Sequence, residues 1–550
     1  MADQKNPLEM LFHWEQAKPD QRYLVQPVEG QTREFTFAQA ADQVRRMAAA
    51  LKAMNFEPGA RIAISGRNTA HWLFADLAIG MAGYVAVGLY PKQAESATKF
   101  ILDHSETRLL FVGPAPDMDD FMRTIPKHVK TVSFPYPDVP KCDYAWDDLV
   151  AKHEPLREYK APTHDQLLTL IYTSGTTGNP KGVMITYGNM VFAAQGLMKY
   201  LPPKGQEVLF SYLPLAHAFE RGAVELGSLY FGAEVHFLEN IEKLAQELPK
   251  VAPTRFFGVP LVYGRIQAGV LKKLPQAKLD RLMGIPIVRG FIRRKILKGI
   301  GLNRTRYVFS GAAPLPIPLM DWFKKVLGFE ILQGYGMTEN SIYASANLPG
   351  QNRIGSVGKN FPDAGFKLAD DGEILYKSPA VMAGYYREPE KTRETFTADG
   401  YLRTGDKGKT DADGYLYITG RVKDIFKTLK GKYVAPAPIE GALSRNTDID
   451  QLCFVGTGLK QPIMLVTLTP DARRKPRDEV GKALVADMEL VNKDLEAHEE
   501  IAKIIVVGET WTIDNGFMTP TMKVKRAEVE KRYADLLTKE SENRNKIAWA

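Results

Sequence analysis

The feature that most restricts the fold is the alternation of two hydrophobic periods along residues 36–113. "TFAQAADQVRRMAAALKAMNFEPG" opens with Thr36 three residues before Gln39, a spacing that lets each side chain satisfy the other's free amide at a helix start. Val44, Met47, Ala48 and Leu51 then share one helical face, and Glu57-Pro58-Gly59 ends the run. The short β-branched run "RIAIS" follows from Arg61, then the apolar stretch "LAIGMAGYVAVGLY" from Leu77 to Tyr90, then "RLLFVG" from Arg108. Alternation of this kind predicts an α/β layered domain with largely parallel strands. The 77–90 stretch is shorter than the roughly 20 residues a bilayer requires, so a buried helix followed by a strand is expected there.

From Gly372 the texture changes to short strands and turns, "DGEILYKS" and then "DADGYLYITGRVKD", with Asp413-Gly414 as a hairpin turn. Beyond Arg421, strand-like "QLCFVG" and "PIMLVTL", helical sequence around 480–500 and "IAKIIVVG" predict a compact α+β unit. The expected division is a large domain over 1–420 and a small one over 421–550, with a boundary near 421–424. A chain of 550 residues is too long for one simple core.

Composition narrows the function classes. Apolar residues at 45% and charged residues at 25% are ordinary for a soluble globular protein, and disorder is expected only in the polar tail after Leu537. The net charge of +8, from 72 basic and 64 acidic residues, favours anionic ligands only weakly. No nucleic-acid motif accompanies it, so no nucleic-acid partner is expected. Cys142 and Cys453 lack CxxC partners and are expected as small buried hydrophobes in a reducing compartment. The start "MADQKNPLEM" lacks the basic and apolar regions of a secretory signal, which predicts a cytoplasmic protein.

"YTSGTTGNPKG", residues 172–182, carries the chemistry. Its glycines permit close backbone approach, so amides and the hydroxyls of Thr173, Ser174, Thr176 and Thr177 can surround an oxyanion while Lys181 adds a positive charge. The preceding "LLTLI" predicts a strand holding this loop at its carboxyl end. Pro180 before Lys181 and Gly182 after it break the ordinary GxxxxGK[ST] pattern, which argues against a P-loop ATPase.

This stretch resembles the signature loop of the adenylate-forming superfamily: acyl-CoA synthetases, peptide-synthetase adenylation domains and firefly luciferase. Further matches follow in the family's order: "SGAAPLP" at 310–316, "QGYGMTE" at 333–339, "YLRTGD" at 401–406, "GRVKD" at 420–424 and "NGFMTPTMKVKR" at 515–526. They are most similar to bacterial long-chain fatty acyl-CoA ligases, and they imply a large adenylate-forming domain followed by a small mobile one.

The resemblance implies ATP contacts from Thr173, Ser174, Gly175, Thr176, Thr177, Gly178 and Lys181, and from Gly311, Ala312 and Ala313 beside adenine. It extends these to Gly334, Tyr335, Gly336 and Thr338, with Tyr335 stacked on the base, and to Asp406 and Arg421 at the ribose. Thr176 and Glu339 become the Mg²⁺ ligands, oxygen donors suited to a hard cation, while Thr338, Glu339 and Lys523 form the catalytic set. Lys423 is the hinge residue, and Gly431 in "KGKYVAP" faces the CoA channel.

For the acyl group, "PLAHAFERG" at 214–222 resembles the segment that carries the acyl-side histidine in fatty acyl members, which implies a pocket-lining His217, and Gly336 stands where short-acid relatives carry a Trp, which implies an open channel. A medium- or long-chain fatty acid is therefore expected. The alternatives are a fatty acyl-AMP ligase loading an acyl carrier protein and an aryl-acid CoA ligase. The substrates expected are ATP, the acid and CoA, with Mg²⁺ as cofactor; oligomeric state is left open. Residues 284–307 interleave apolar side chains with Arg289, Arg293, Arg294, Lys295 and Lys298, which reads either as peripheral contact with an anionic membrane or as an ordinary outward-facing amphipathic helix.

Overall fold

The computed structural model describes residues 5–173, 179–519 and 523–550. The expected first helix is Phe37–Ala53, capped by Thr36 and Gln39 in reciprocal hydrogen bonds. Residues 77–90 divide into the end of the wholly buried helix Ala70–Met81 and the buried strand Val85–Leu89. Burial on every side explains the absence of alternation in that stretch.

The predicted parallel strands lie in an eight-stranded sheet ordered Gly384–Tyr385, Lys181–Thr186, Leu167–Thr173, Val85–Leu89, Arg61–Ser65, Leu109–Val112, Lys130–Ser133 and Tyr144–Ala145. Its pairs are parallel from Leu167–Thr173 through Tyr144–Ala145, and Lys181–Thr186 turns back antiparallel against Leu167–Thr173. A second sheet begins with the parallel strands Arg255–Gly258, Tyr307–Ser310 and Ile331–Tyr335. An antiparallel sheet follows, in the order Phe366–Leu368, Glu373–Tyr376, Leu402–Thr410, Leu416–Arg421. Its last two strands are the hairpin foreseen around Asp413-Gly414, whose turn is tied by Asp411 accepting from the amides of Asp413 and Tyr415.

The C-terminal domain builds its own sheet, Ile449–Val455, Ile463–Leu468, Lys503–Val506, Ile547–Trp549, with the helix Arg477–Asn492 packed on it. Two expectations are corrected. The polar tail after Leu537 is ordered, because Ile547–Trp549 pairs in parallel with Lys503–Val506. Cys453 is buried as expected, but Cys142 is only partly so; both are free thiols. The mixed α/β architecture of a large N-terminal domain and a C-terminal domain is otherwise as the sequence predicts.

Candidate active site

Carboxyl ends of parallel strands from the two large sheets converge on one region, the place where open α/β sheets bind ligands. Leu167–Thr173 and Lys181–Thr186 form a hairpin that sets Thr173 opposite Lys181. Ser174, Gly175, Thr176, Thr177 and Gly178 lie outside the described residues. Tyr307–Ser310 runs into Gly311, Ala312 and Ala313, where Ala312 holds φ +67°, a left-handed conformation that costs a non-glycine residue free energy. Gly311 is buried while Ala312 and Ala313 are exposed, so this loop presents main chain and methyl groups to the cleft.

Ile331–Tyr335 delivers Gly334 and Tyr335 to the same place, and the single turn Thr338–Asn340 buries Thr338 and Glu339. The Tyr335 hydroxyl donates to Asp406 Oδ2 at 2.7 Å, and Arg421 Nε lies 2.9 Å from Asp406 Oδ1. A carboxylate offers about four lone-pair positions, so Asp406 keeps acceptor capacity for two further hydroxyls. Arg421 is held charged: burial opposes it, but Asp406 and Asp424 outweigh that and raise its pKa.

Two residues that the motifs did not single out complete this arrangement. Tyr385 donates its hydroxyl to Glu339 Oε1 at 2.9 Å, and Lys181 Nζ stands 4.8 Å from the Tyr385 ring centre. It reaches them because Gly384–Tyr385 is the edge strand beside Lys181–Thr186. Glu373 accepts from the Gly405 amide at 3.0 Å and from Arg403 at 2.9 Å, fixing the turn before Asp406. The aromatic pair in "GYYREP" is the one signal that could have drawn attention to Tyr385.

Glu339 is the group best fitted to a cation. Its pKa is raised by burial, against the Tyr385 hydrogen bond and the charges of Arg421 and Lys181. Among the described residues it forms no ion pair within 4.0 Å. A buried carboxylate whose side-chain partner is a phenol fits Mg²⁺, which keeps several waters and substrate oxygens and needs only one or two protein carboxylates.

Lys523 enters from the C-terminal domain. Its ammonium is influenced by Arg421, Asp406, Asp424 and Glu339, and its charge also acts on His217. The open cleft leaves the residue accessible, yet enough bulk water is displaced that desolvation, followed by Arg421, lowers its pKa; the three carboxylates pull the other way. His217 caps the short helix Ala218–Glu220, its Nδ1 accepting from the Phe219 amide at 3.1 Å. Burial and the nearby Lys523 charge lower its pKa to about 4, so it is neutral at pH 7. Phe219 packs edge-on to Phe257, which stacks on Phe309, giving this side an aromatic wall.

Gly336 differs from expectation. A Cβ built on it would meet the main-chain carbon and oxygen of Ile342 at 2.6 Å, so the space beside its Cα is filled by backbone. Its missing side chain permits that close approach and is not itself an open channel. Lys423 is exposed just after Arg421, and Gly431, at φ +79°, is exposed in the turn joining Phe426–Lys427 to Tyr433–Val434.

The family pattern of an AMP-binding enzyme matches residues 11–386, and that of the AMP-binding enzyme C-terminal domain matches 423–542. The chain belongs to the AMP-binding enzyme family. Within this family it is 30% identical to the long-chain-fatty-acid--CoA ligase FadD15 of Mycobacterium tuberculosis, over 97% of this chain and 96% of that one. It is 29% identical to the peroxisomal long chain acyl-CoA synthetase 7 of Arabidopsis thaliana, over 92% of this chain and 81% of the relative. Its fold is similar to that of the anthranilate CoA ligase AuaEII solved with anthranoyl-AMP, with a TM-score of 0.80, 22% identity and coverage of 97% and 98%. The two family patterns thus cover most of both domains, and the second includes Lys523.

Proposed function

We propose that this AMP-binding enzyme is an AMP-forming long-chain fatty acid–CoA ligase. A fatty carboxylate oxygen bonds to the α-phosphorus of ATP as the bond to pyrophosphate breaks, giving acyl-AMP. The CoA sulfur then bonds to the acyl carbon, the carbon–oxygen bond to AMP breaks, and the thiol proton passes to solvent. The observation that carries the reading is the convergence of Lys523 with Asp406, Arg421 and Glu339, in a chain related along its length to long-chain fatty acid ligases.

Each residue has work suited to its surroundings. The carboxylate nucleophile is already ionised at neutral pH, so positioning and charge neutralisation matter more than proton transfer. Asp406, oriented by Tyr335 and Arg421, accepts from the ribose hydroxyls, while the 310–316 segment and Tyr335 flank the adenine. Lys181, the 172–182 loop and Lys523 offset charge on the phosphates. Glu339, with Thr176, would hold Mg²⁺, which when bound neutralises phosphate charge. Neutral His217 and the Phe219–Phe257 wall line the acyl side and exclude water.

The domain reading, 1–420 and 421–550 with a hinge at 421–424 including Lys423, is part of the same proposal. It is supported by the two apolar clusters after Phe426, which draw no residue from the large domain. Lys92 and Asp514 pair across the lobes at 2.8 Å, but with side chains 41% and 67% exposed such a pair contributes about 0–1 kcal/mol, too little to prevent turning. Turning withdraws Lys523 and lets the hairpin at Gly431 face CoA.

The test is pyrophosphate release from ATP with a panel of acids, with and without CoA. Long-chain acids are expected to give pyrophosphate in both conditions and AMP with acyl-CoA only when CoA is present. Activity confined to aryl acids, or transfer to holo carrier protein but not to CoA, would replace this reading with one of its alternatives.

A further inference from the structure

The helix Pro286–Ile300 has no buried residue, although six of its fifteen positions are isoleucine, leucine or valine besides Phe291. Its inner side is satisfied: Ile292, Ile296, Leu297 and Ile300 pack on the neighbouring cluster. Arg293 belongs to that inner side too, donating to the carbonyls of Val326 and Lys325 at 3.1 Å each. The opposite stripe has no such partners. Ile287 is 90% exposed and Phe291 67%, with Ile285 beside them at 48%. Positions 287, 291, 294 and 298 follow one helical stripe, so two apolar side chains are continued by Arg294 and Lys298, with Lys295 alongside.

Charge decides what kind of surface this is. Residues 261–307 hold twelve Lys and Arg against one acid, Asp280, so the remainder of the chain is net acidic and the protein's positive balance is concentrated here. Among the described residues Arg294, Lys295 and Lys298 enter no ion pair and no side-chain hydrogen bond, so their charges are free to meet an external anion. An exposed apolar group followed by unpaired cations on a helix lying along the surface suits a lipid interface: the apolar side chains enter the acyl boundary and the cations meet headgroups.

We propose that the stripe through Ile287, Phe291, Arg294 and Lys298 docks the protein on an anionic phospholipid bilayer. The same segment is joined to the active site. The strand Arg255–Gly258 ends level with Ser310 beside the Gly311 loop, and it leads into the helix Pro260–Lys273, then through the short helix Gln276–Met283 to the docking helix. Among the described residues no helix is long and apolar enough to cross a membrane, so this contact is peripheral.

The experiment is co-sedimentation of the full chain with phosphatidylcholine vesicles, with and without phosphatidylglycerol, in the absence of ATP, acid and CoA. Its outcome is therefore independent of the ligase reading. Binding is expected with the anionic vesicles and weakened by salt. Each basic residue near such a surface contributes about fivefold, so R294Q/K295Q/K298Q is expected to lower partitioning by about a hundredfold. I287S/F291S is expected to lower it as well, and Phe291→Trp to shift its emission to the blue on anionic vesicles only. These side chains are exposed, and unchanged unfolding midpoints verify that the variants fold. Equal binding to neutral vesicles, or wild-type partitioning by the triple variant, overturns the proposal. So does a change of oligomeric state in I287S/F291S by light scattering without lipid, which would assign the face to a second copy of the chain.

Discussion

Replacing Lys523 with alanine is expected to separate the two proposed half-reactions. Lys523 is reachable from the cleft, but the groups that crowd its ammonium, Arg421, Asp406, Asp424 and Glu339, displace bulk water around it, so its pKa is lowered and its field is less screened than that of an open surface charge. A unit charge about 4 Å from a developing phosphate charge, at an effective dielectric near 20, is worth about 4 kcal/mol, or about a thousandfold in rate. Loss of one preorganised donor at a reacting oxyanion typically costs about 10²–10³, the same range. The side chain makes no hydrogen bond of its own among the described residues; the main chain alone is paired, the Lys523 amide donating to the Thr519 hydroxyl and its carbonyl accepting from the Thr519 amide, so stability is expected to change by less than about 0.5 kcal/mol. The assay is pyrophosphate formation for adenylation, set beside AMP release from supplied acyl-AMP and CoA. Lys523→Ala is expected to lose the first by about 10²–10³ and to keep the second nearly unchanged. The wild-type adenylation rate should also fall as pH rises through the lowered lysine pKa, below the value for a free lysine. Equal losses in both half-reactions would refute the argument that the lysine acts in one and is withdrawn in the other.

Tyr385→Phe removes the phenol from buried Glu339, a hydrogen bond to a charged group worth about 1.5–3 kcal/mol. The Glu339 pKa, already raised, should rise further, shifting the acid limb of the adenylation rate to higher pH in a pH–rate profile. Gly336→Ala drives a methyl into the Ile342 backbone and should destabilise the fold by about 1–3 kcal/mol in urea titration; Gly336→Trp is then expected to disturb folding before it alters chain-length preference. Arg221 and Asp76 pair at 2.5 Å with both side chains 1% exposed, and Glu225 is buried beside them. Arg221→Met leaves the two acids without their cation and should cost about 3–5 kcal/mol in the urea midpoint; a loss below about 1 kcal/mol would contradict that account.

Local rules made much of the site legible. The Thr36–Gln39 cap, the strand before the 172–182 loop and the hairpin at Asp413-Gly414 depend on neighbours in the chain, and each stands where the sequence places it. The tail after Leu537 misled because its polarity says nothing of the strand edge waiting for Ile547–Trp549. Gly336 misled for a related reason: whether a missing side chain opens a channel or admits backbone depends on Ile342, whose position follows from a turn, not from the glycine.

By itself, then, the sequence determined the alternating layers, the order of the family's motif segments and the chemistry each could offer, because contiguous residues set caps, turns and loop hydroxyls. Tertiary structure alone decided that Tyr385 reaches Glu339 from an edge strand, that Arg421 Nε and the Tyr335 hydroxyl both orient Asp406, and which charges surround the Lys523 ammonium. It also decided that Ile287 and Phe291 remain uncovered. Pairing, desolvation and exposure arise from segments far apart in the chain, and no local pattern encodes which of them meet.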